Sequence, residues 1–158
     1  MITRYIVAII IYGSTIILSD TTIVAFESVH QSFGNLGNNR TVIDTIRFPQ
    51  SNIGFSDITM SVSLECPTGG CDPWDRKAKI DVMHLNQWFE IGRYVTPYGV
   101  ECGWEFDVTD YRSILQGDVM LRSHIDTWVQ PGWLVNISFE FISAISLLIS
   151  KFAELTFD

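Results

Sequence analysis

The chain has 158 residues, enough for one core and at most a short extra segment. Its 10 Lys and Arg stand against 18 Asp and Glu, a formal charge of −8, which excludes nucleic-acid binding driven by counterion release. With 47 % apolar, 13 % aromatic and 18 % charged residues, the composition also excludes a disordered chain.

Residues 1–19 carry Arg4, then an uncharged apolar run from Tyr5 to Leu18, then Ser19 before Asp20. This order reads as a secretory signal peptide and predicts a secreted or periplasmic protein. The run is short for a spanning helix, which takes about 20 apolar residues, so a membrane anchor over residues 5–18 and a buried first strand are the secondary readings. Residues 20–41 include the polar stretch ESVHQSFGNLGNNRT, rich in Gly and Asn and without period, and read as a leader loop.

From Val42 onward, short runs rich in Val, Ile, Phe and Thr alternate with turn signals. Strands are predicted at Val42–Phe48, Asp57–Glu65, Arg76–Met83, Trp88–Val95, Trp104–Val108, Asp118–Asp126 and Leu134–Ile142, the spacing of a β-sandwich. Asp110–Leu115 is the one short helical piece, with Thr109 or Asp110 as its cap and Gly117 as its stop. Residues 143–158 form an unassigned apolar tail in which Ile145 and Ile149 recur near helical spacing.

Within Arg76–Met83, Ala78, Ile80 and Val82 share one face, and Lys77, Lys79 and Asp81 share the other, the period of a half-buried antiparallel strand. Further on, Val119, Leu121 and Ile125 form one face, and Arg122, His124, Asp126 and Trp128 the opposite one. That second set is either a solvated outer face or the lining of a polar sugar site.

Three cysteines are present. In Cys66-Pro67-Thr68-Gly69-Gly70-Cys71, proline and two glycines allow a turn tight enough to join the sulfurs, so Cys66 and Cys71 are expected as a disulfide. Zinc needs four ligands and neither a second Cys pair nor a His-x-x-His lies nearby, so no metal and no cofactor are expected. Cys102 is left as a buried small residue or a free thiol. Of two N-x-S/T patterns, at Asn39 and Asn136, the second falls inside a predicted strand and is not expected to be modified.

The densest constellation is Cys71-Asp72-Pro73-Trp74-Asp75-Arg76. A carboxylate at Asp75 can orient a water or act as acid or base. A guanidinium at Arg76 can polarise a carbonyl or hold a carboxylate. The plainer reading is an exposed ion pair beside a turn.

Four pieces in register carry a resemblance: C-x4-C-D-x-W-D-R at Cys66–Arg76, E-I-G-R-Y-V-T-P-Y at Glu90–Tyr98, D-V-T-D-Y-R-S-I-L at Asp107–Leu115, and D-T-W at Asp126–Trp128. From Thr45 to Phe141 the chain resembles the amino-terminal domain of the peptide-N-glycosidase F family. The resemblance implies an all-β, antiparallel eight-stranded jelly roll over residues 42–142. It also implies a secreted amidase that cuts between an Asn side chain and the first N-acetylglucosamine of an N-linked glycan. Its substrates would be N-linked glycoproteins or glycopeptides. By the same resemblance Asp75, Arg76 and Asp126 are the catalytic candidates, with Asp126 where the family has Glu. Trp74 and Trp128 flank the sugar, and Cys66 pairs with Cys71. The family's enzymes place the site between two jelly rolls. Only 17 residues follow Phe141, so a second jelly roll is expected from another chain, or lost by truncation, and the isolated chain is expected to be weakly active or inactive. A non-catalytic carbohydrate-binding module and a purely structural secreted domain are the alternatives.

Overall fold

The computed structural model describes residues 19–34, 37–50 and 54–144, so the predicted signal segment and all but the start of the apolar tail lie outside the described residues. Among the described residues are strands β1 (Thr21–Gln31), β2 (Phe33–Gly34), β3 (Gly37–Asn38), β4 (Thr41–Arg47), β5 (Phe55–Glu65), β6 (Lys77–His84), β7 (Gln87–Val95), β8 (Cys102–Asp107), β9 (Asp118–Ile125) and β10 (Trp133–Ser143). All seven predicted strands are present, each with its ends within two residues of the expected ones.

Two four-stranded antiparallel sheets, in the orders β1-β10-β5-β8 and β4-β9-β6-β7, form the jelly roll, and β2 and β3 make a small hairpin of their own. Alternation along each strand sends one set of side chains between the sheets. Met60, Val62, Leu64, Val135, Ile137 and Phe139 come from the first sheet, and Ile80, Val82, Leu121 and Ile125 from the second. Phe48 closes one end of this core, its ring 5.0 Å from Phe139 and 6.0 Å from Phe141. Each such aliphatic or aromatic side chain contributes roughly 1.5–3 kcal/mol by leaving water.

Residues 20–41 are not a leader loop. Strand β1 is an edge strand paired along its length with β10, and the hairpin follows it. Its period is hidden because the register slips between Val24 and Phe26 and again between Phe26 and Val29, with Ser28 at φ 49°. Such irregularities protect an edge strand from pairing with another chain, and they also erase the alternation that marks a strand in sequence. The Ser28 N–H donates to Asn136 Oδ1 at 2.7 Å, so the second N-x-S/T asparagine lies in β10 and is engaged within the sheet. Gln31 is fully buried and ties β1 to the opposite sheet: its Nε2 donates to Arg40 O (2.7 Å) and Ser123 O (3.1 Å), and its Oε1 accepts from the Ser123 hydroxyl.

The helical piece is shorter than expected, a 3-10 turn over Thr109–Tyr111 with Val108 as N-cap and no side-chain cap. The Thr109 hydroxyl is used elsewhere, accepting from the Ile58 N–H at 2.9 Å on β5. Gly117, at φ 69°, turns the chain into β9.

Candidate functional site

The site is built where three loops meet at one end of the sandwich. The first is closed by the Cys66–Cys71 disulfide, across which Gly69 and Gly70 sit at φ 105° and 100°. Asp72 follows at once. Its N–H donates to Gly132 O at 3.0 Å and its carbonyl accepts from Gly99 N–H at 3.1 Å, which fixes the loops at 97–99 and 131–132 against it. Position 132 accepts only glycine: φ is 58°, and a Cβ there would lie 2.0 Å from Gln31 O.

The Asp72 carboxylate is 0 % exposed, and both its oxygens are filled. Oδ1 accepts from the Trp74 N–H (3.0 Å) and from Arg76 Nη2 (3.2 Å); Oδ2 accepts from Arg76 Nε (2.7 Å) and from the Thr127 hydroxyl (2.6 Å). Arg76 therefore does hold a carboxylate, but it is Asp72 and not the adjacent Asp75. Thr96 completes the support, accepting from the Arg76 N–H at 2.9 Å and donating to Trp74 O at 3.3 Å. Trp74 and Asp75 are left facing solvent, and Asp75 makes no hydrogen bond or ion pair among the described residues.

Asp126 lies just past the end of β9. Its N–H donates to Lys77 O at 2.9 Å, which puts it beside the residue that follows Arg76. Its carboxylate accepts from His124 Nε2 at 3.1 Å, and the other ring nitrogen of His124 meets the Thr41 hydroxyl at 2.7 Å. With the Nε2 proton directed at Asp126, a neutral ring accepts from Thr41 at Nδ1. Thr41 and His124 thus orient the half-exposed carboxylate.

Trp128 is 57 % exposed, the same fraction as Trp74. The β2–β3 hairpin braces its ring: Phe33 meets it edge-on at 5.6 Å, and the Arg40 guanidinium lies 4.2 Å above it and 4.8 Å above Phe33. The guanidinium covers one face of the indole and keeps its orientation. Arg122, from the same predicted face, is drawn away from the site. It pairs with the buried Asp81 at 2.8 Å and stacks 4.2 Å over Trp88. The face read as either solvated or site-lining is therefore divided, with Arg122 structural and His124, Asp126 and Trp128 beside the loops.

The structure thus gathers Trp74, Asp75 and Arg76 with Asp126 and Trp128 through Asp72, Thr127 and the backbone bond to Lys77. Sequence reasoning quoted Asp72 and Thr127 inside their motifs without a role. It missed Thr41, Phe33 and Arg40. A Thr at the head of a strand carries no signal by itself, and the stretch holding Phe33 and Arg40 read as loop. Cys102 is partly buried and unpaired, as one of its two readings had it, and burial pushes its thiol up to about 11.

A family model described as "Peptide-N-glycosidase F, N terminal" matches residues 80–141. The peptide-N(4)-(N-acetyl-beta-D-glucosaminyl)asparagine amidase F of Elizabethkingia miricola is 35 % identical over 127 residues, 76 % of this chain and 36 % of that protein. The solved structure of PNGase F, a glycosylasparaginase from Flavobacterium meningosepticum, superposes with a TM-score of 0.75 at 33 % identity, over 79 % of this chain and 42 % of that one. PNGF-II shares the fold, with a TM-score of 0.68 at 13 % identity over 78 % of this chain and 34 % of that one. The chain thus spans less than half the length of these relatives.

Proposed function

Since the chain carries the amino-terminal jelly-roll domain of the peptide-N-glycosidase F family, we propose that its Asp72-centred end binds the core of N-linked glycans and supplies one wall of an amidase site. The observation that carries this reading is the shared carboxylate: Asp72 accepts from Arg76 of one motif and from Thr127 of the other, so the two segments act as one rigid unit. The reaction is hydrolysis of the bond between the Asn side chain and N-acetylglucosamine. Water adds to the amide carbonyl carbon, the C–N bond breaks, and an Asp-containing peptide and a glycosylamine leave. Asp75, free of partners, orients and deprotonates the water. Asp126, steadied by His124, is the second acid. Arg76 positions the W-D-R segment through Asp72. Trp74 and Trp128 stack on the apolar faces of the sugars.

A single open wall leaves the reacting amide in bulk water, where the charges of the site are screened. The opposite wall comes in this reading from a second jelly-roll domain, and the protein works outside the cytoplasm as a secreted or periplasmic hydrolase.

Titration with di-N-acetylchitobiose, followed at the indole N–H signals by nuclear magnetic resonance, tests the binding half. Both Trp74 and Trp128 should shift, and Trp128→Ala should weaken binding by about 1–3 kcal/mol. If neither indole moves, the glycan reading is wrong. In any preparation that releases glycan, Asp75→Asn should slow release by about 10²–10⁴-fold, and an unchanged rate would remove Asp75 from the chemistry.

A further inference from the structure

The second sheet sets a run of basic side chains along its outer face, leading away from Asp126. Lys77 and Lys79 of β6, Arg93 of β7 and His124 of β9 line an open groove of about 240 Å³ with Asp126. A second groove of about 250 Å³ shares Lys79 and His124 with the first and continues to Thr41 and Arg122. Together they form a basic track on a chain whose formal charge is −8.

The carboxylates on this face, Asp81, Glu90 and the half-exposed Asp126 that His124 holds, do not use up the cations Lys77, Lys79, Arg93 and Arg122. Asp81 is shared, 2.8 Å from Arg122 and 3.6 Å from Lys79, and Glu90 pairs with Arg93 at 2.8 Å. Lys77 has no carboxylate within ion-pair distance among the described residues, and its backbone is pinned to Asp126. Lys79 holds Asp81 at the long end of the ion-pair range, and an ammonium has three protons to give. Ammonium groups act as point charges and accept an anion without demanding a fixed orientation, which suits an open groove better than a deep pocket.

We infer that this groove is an anion subsite, taking a carboxylate carried by a ligand bound at the Asp126–Trp128 end. The inference relies on the proposed function for the ligand being a glycan or glycopeptide. Two sources offer the same chemistry: an acidic sugar on the glycan, and an acidic side chain on the peptide. Exposed lysine–carboxylate contacts are individually weak, so the subsite sets preference among ligands and leaves most of the binding to the aromatic end.

The test is a titration of the full chain followed by backbone amide and His ring signals, at constant ionic strength. The probes are N-acetylneuraminic acid, a hexaglutamate peptide, and neutral N-acetylglucosamine as control. Signals of Lys79, which makes no bond to Asp126, should move saturably with at least one acidic probe and not with the neutral one. The double variant Lys77→Gln with Lys79→Gln should weaken that binding roughly five- to tenfold while leaving the amide spectrum of the core in place. Movement with the acidic sugar alone assigns the carboxylate to the glycan, movement with the peptide alone assigns it to the peptide, and both outcomes support the subsite. Silent Lys79 signals, an equal Lys79 response to the neutral sugar, or affinity unchanged in the double variant would overturn it. The indole response to di-N-acetylchitobiose reads the aromatic end separately, so loss of the subsite and loss of the glycan reading give different spectra.

Discussion

A carboxylate taken out of water costs several kcal/mol unless its lone pairs are filled, and at Asp72 they are filled by a guanidinium, a hydroxyl and a backbone N–H. Removing that carboxylate strands the Arg76 charge, whose side chain is only 16 % exposed. Asp72→Ala should therefore cost about 3–5 kcal/mol in urea denaturation, and should shift the Trp74 and Trp128 indole signals even where the protein still folds. A loss below about 1 kcal/mol would mean that Asp72 is not the hub of these loops. Cys102 supports a second prediction. Its thiol has an ordinary value of 9.0, and burial raises it to about 11 in the folded chain. The unfolded chain gives up this proton first as pH rises, so this group's share of stability is complete below about pH 9 and is lost as pH rises toward 11. At pH 8 iodoacetamide should label Cys102 slowly in the folded protein and readily after denaturation; rapid labelling of the native state would contradict the burial.

Among the elements, the β6–β7 hairpin is the least well matched to its sequence. The two residues of its turn, Leu85 and Asn86, both sit at positive φ, 47° and 64°, and Leu85 is 82 % exposed. This is the geometry of a type I′ turn, which favours Asn-Gly, and a leucine there gains no burial in exchange for the strain. Replacing the pair by Leu85→Asn with Asn86→Gly should raise stability by about 0.5–1 kcal/mol, read as a shift of the denaturation midpoint with unchanged slope. A lower midpoint would show that Leu85 makes a contact worth more than the turn strain. The same turn explains why the gap expected between Met83 and Trp88 closes to two residues: the positive-φ pair is Leu85–Asn86, and Gln87 already pairs with His84. At β1 the difficulty is the opposite one. The strand is real, but its bulges and polar edge residues hide it from any reading by period.

At the scale of the whole molecule, β1 closes the first sheet and Gln31 pins that sheet to the second. A chain that begins at Arg40, near the boundary that sequence periodicity suggests, would expose the edge of β10 and lose Phe26, which is 4 % exposed in the full domain, from the core. Such a chain should lose its cooperative thermal transition by circular dichroism. A transition within a few degrees of the full chain would show that β1 is dispensable to the fold. The hairpin that follows β1 matters to the site for a related reason: it carries Phe33 to the edge of Trp128 and leads into Arg40, which no local rule connects with a tryptophan nearly ninety positions away in the chain.

Sequence by itself determined the strands from Val42 onward, the Cys66–Cys71 bridge and the candidate acids and indoles at Trp74, Asp75, Asp126 and Trp128, because alternation, turn chemistry and short motifs are local and survive in one dimension. Two things were decided only by tertiary structure. One is that residues 21–31 are a strand, since an irregular edge strand is stabilised by its partner β10 and not by its own pattern. The other is which charges pair. Arg76 bypasses its neighbour Asp75 for Asp72, Arg122 leaves the row it shares with Asp126 and Trp128 for Asp81, and His124 turns to Asp126. Burial selects those partners, because a carboxylate closed off from water must be satisfied by whatever donors the fold brings within reach, while an exposed one such as Asp75 is satisfied by water.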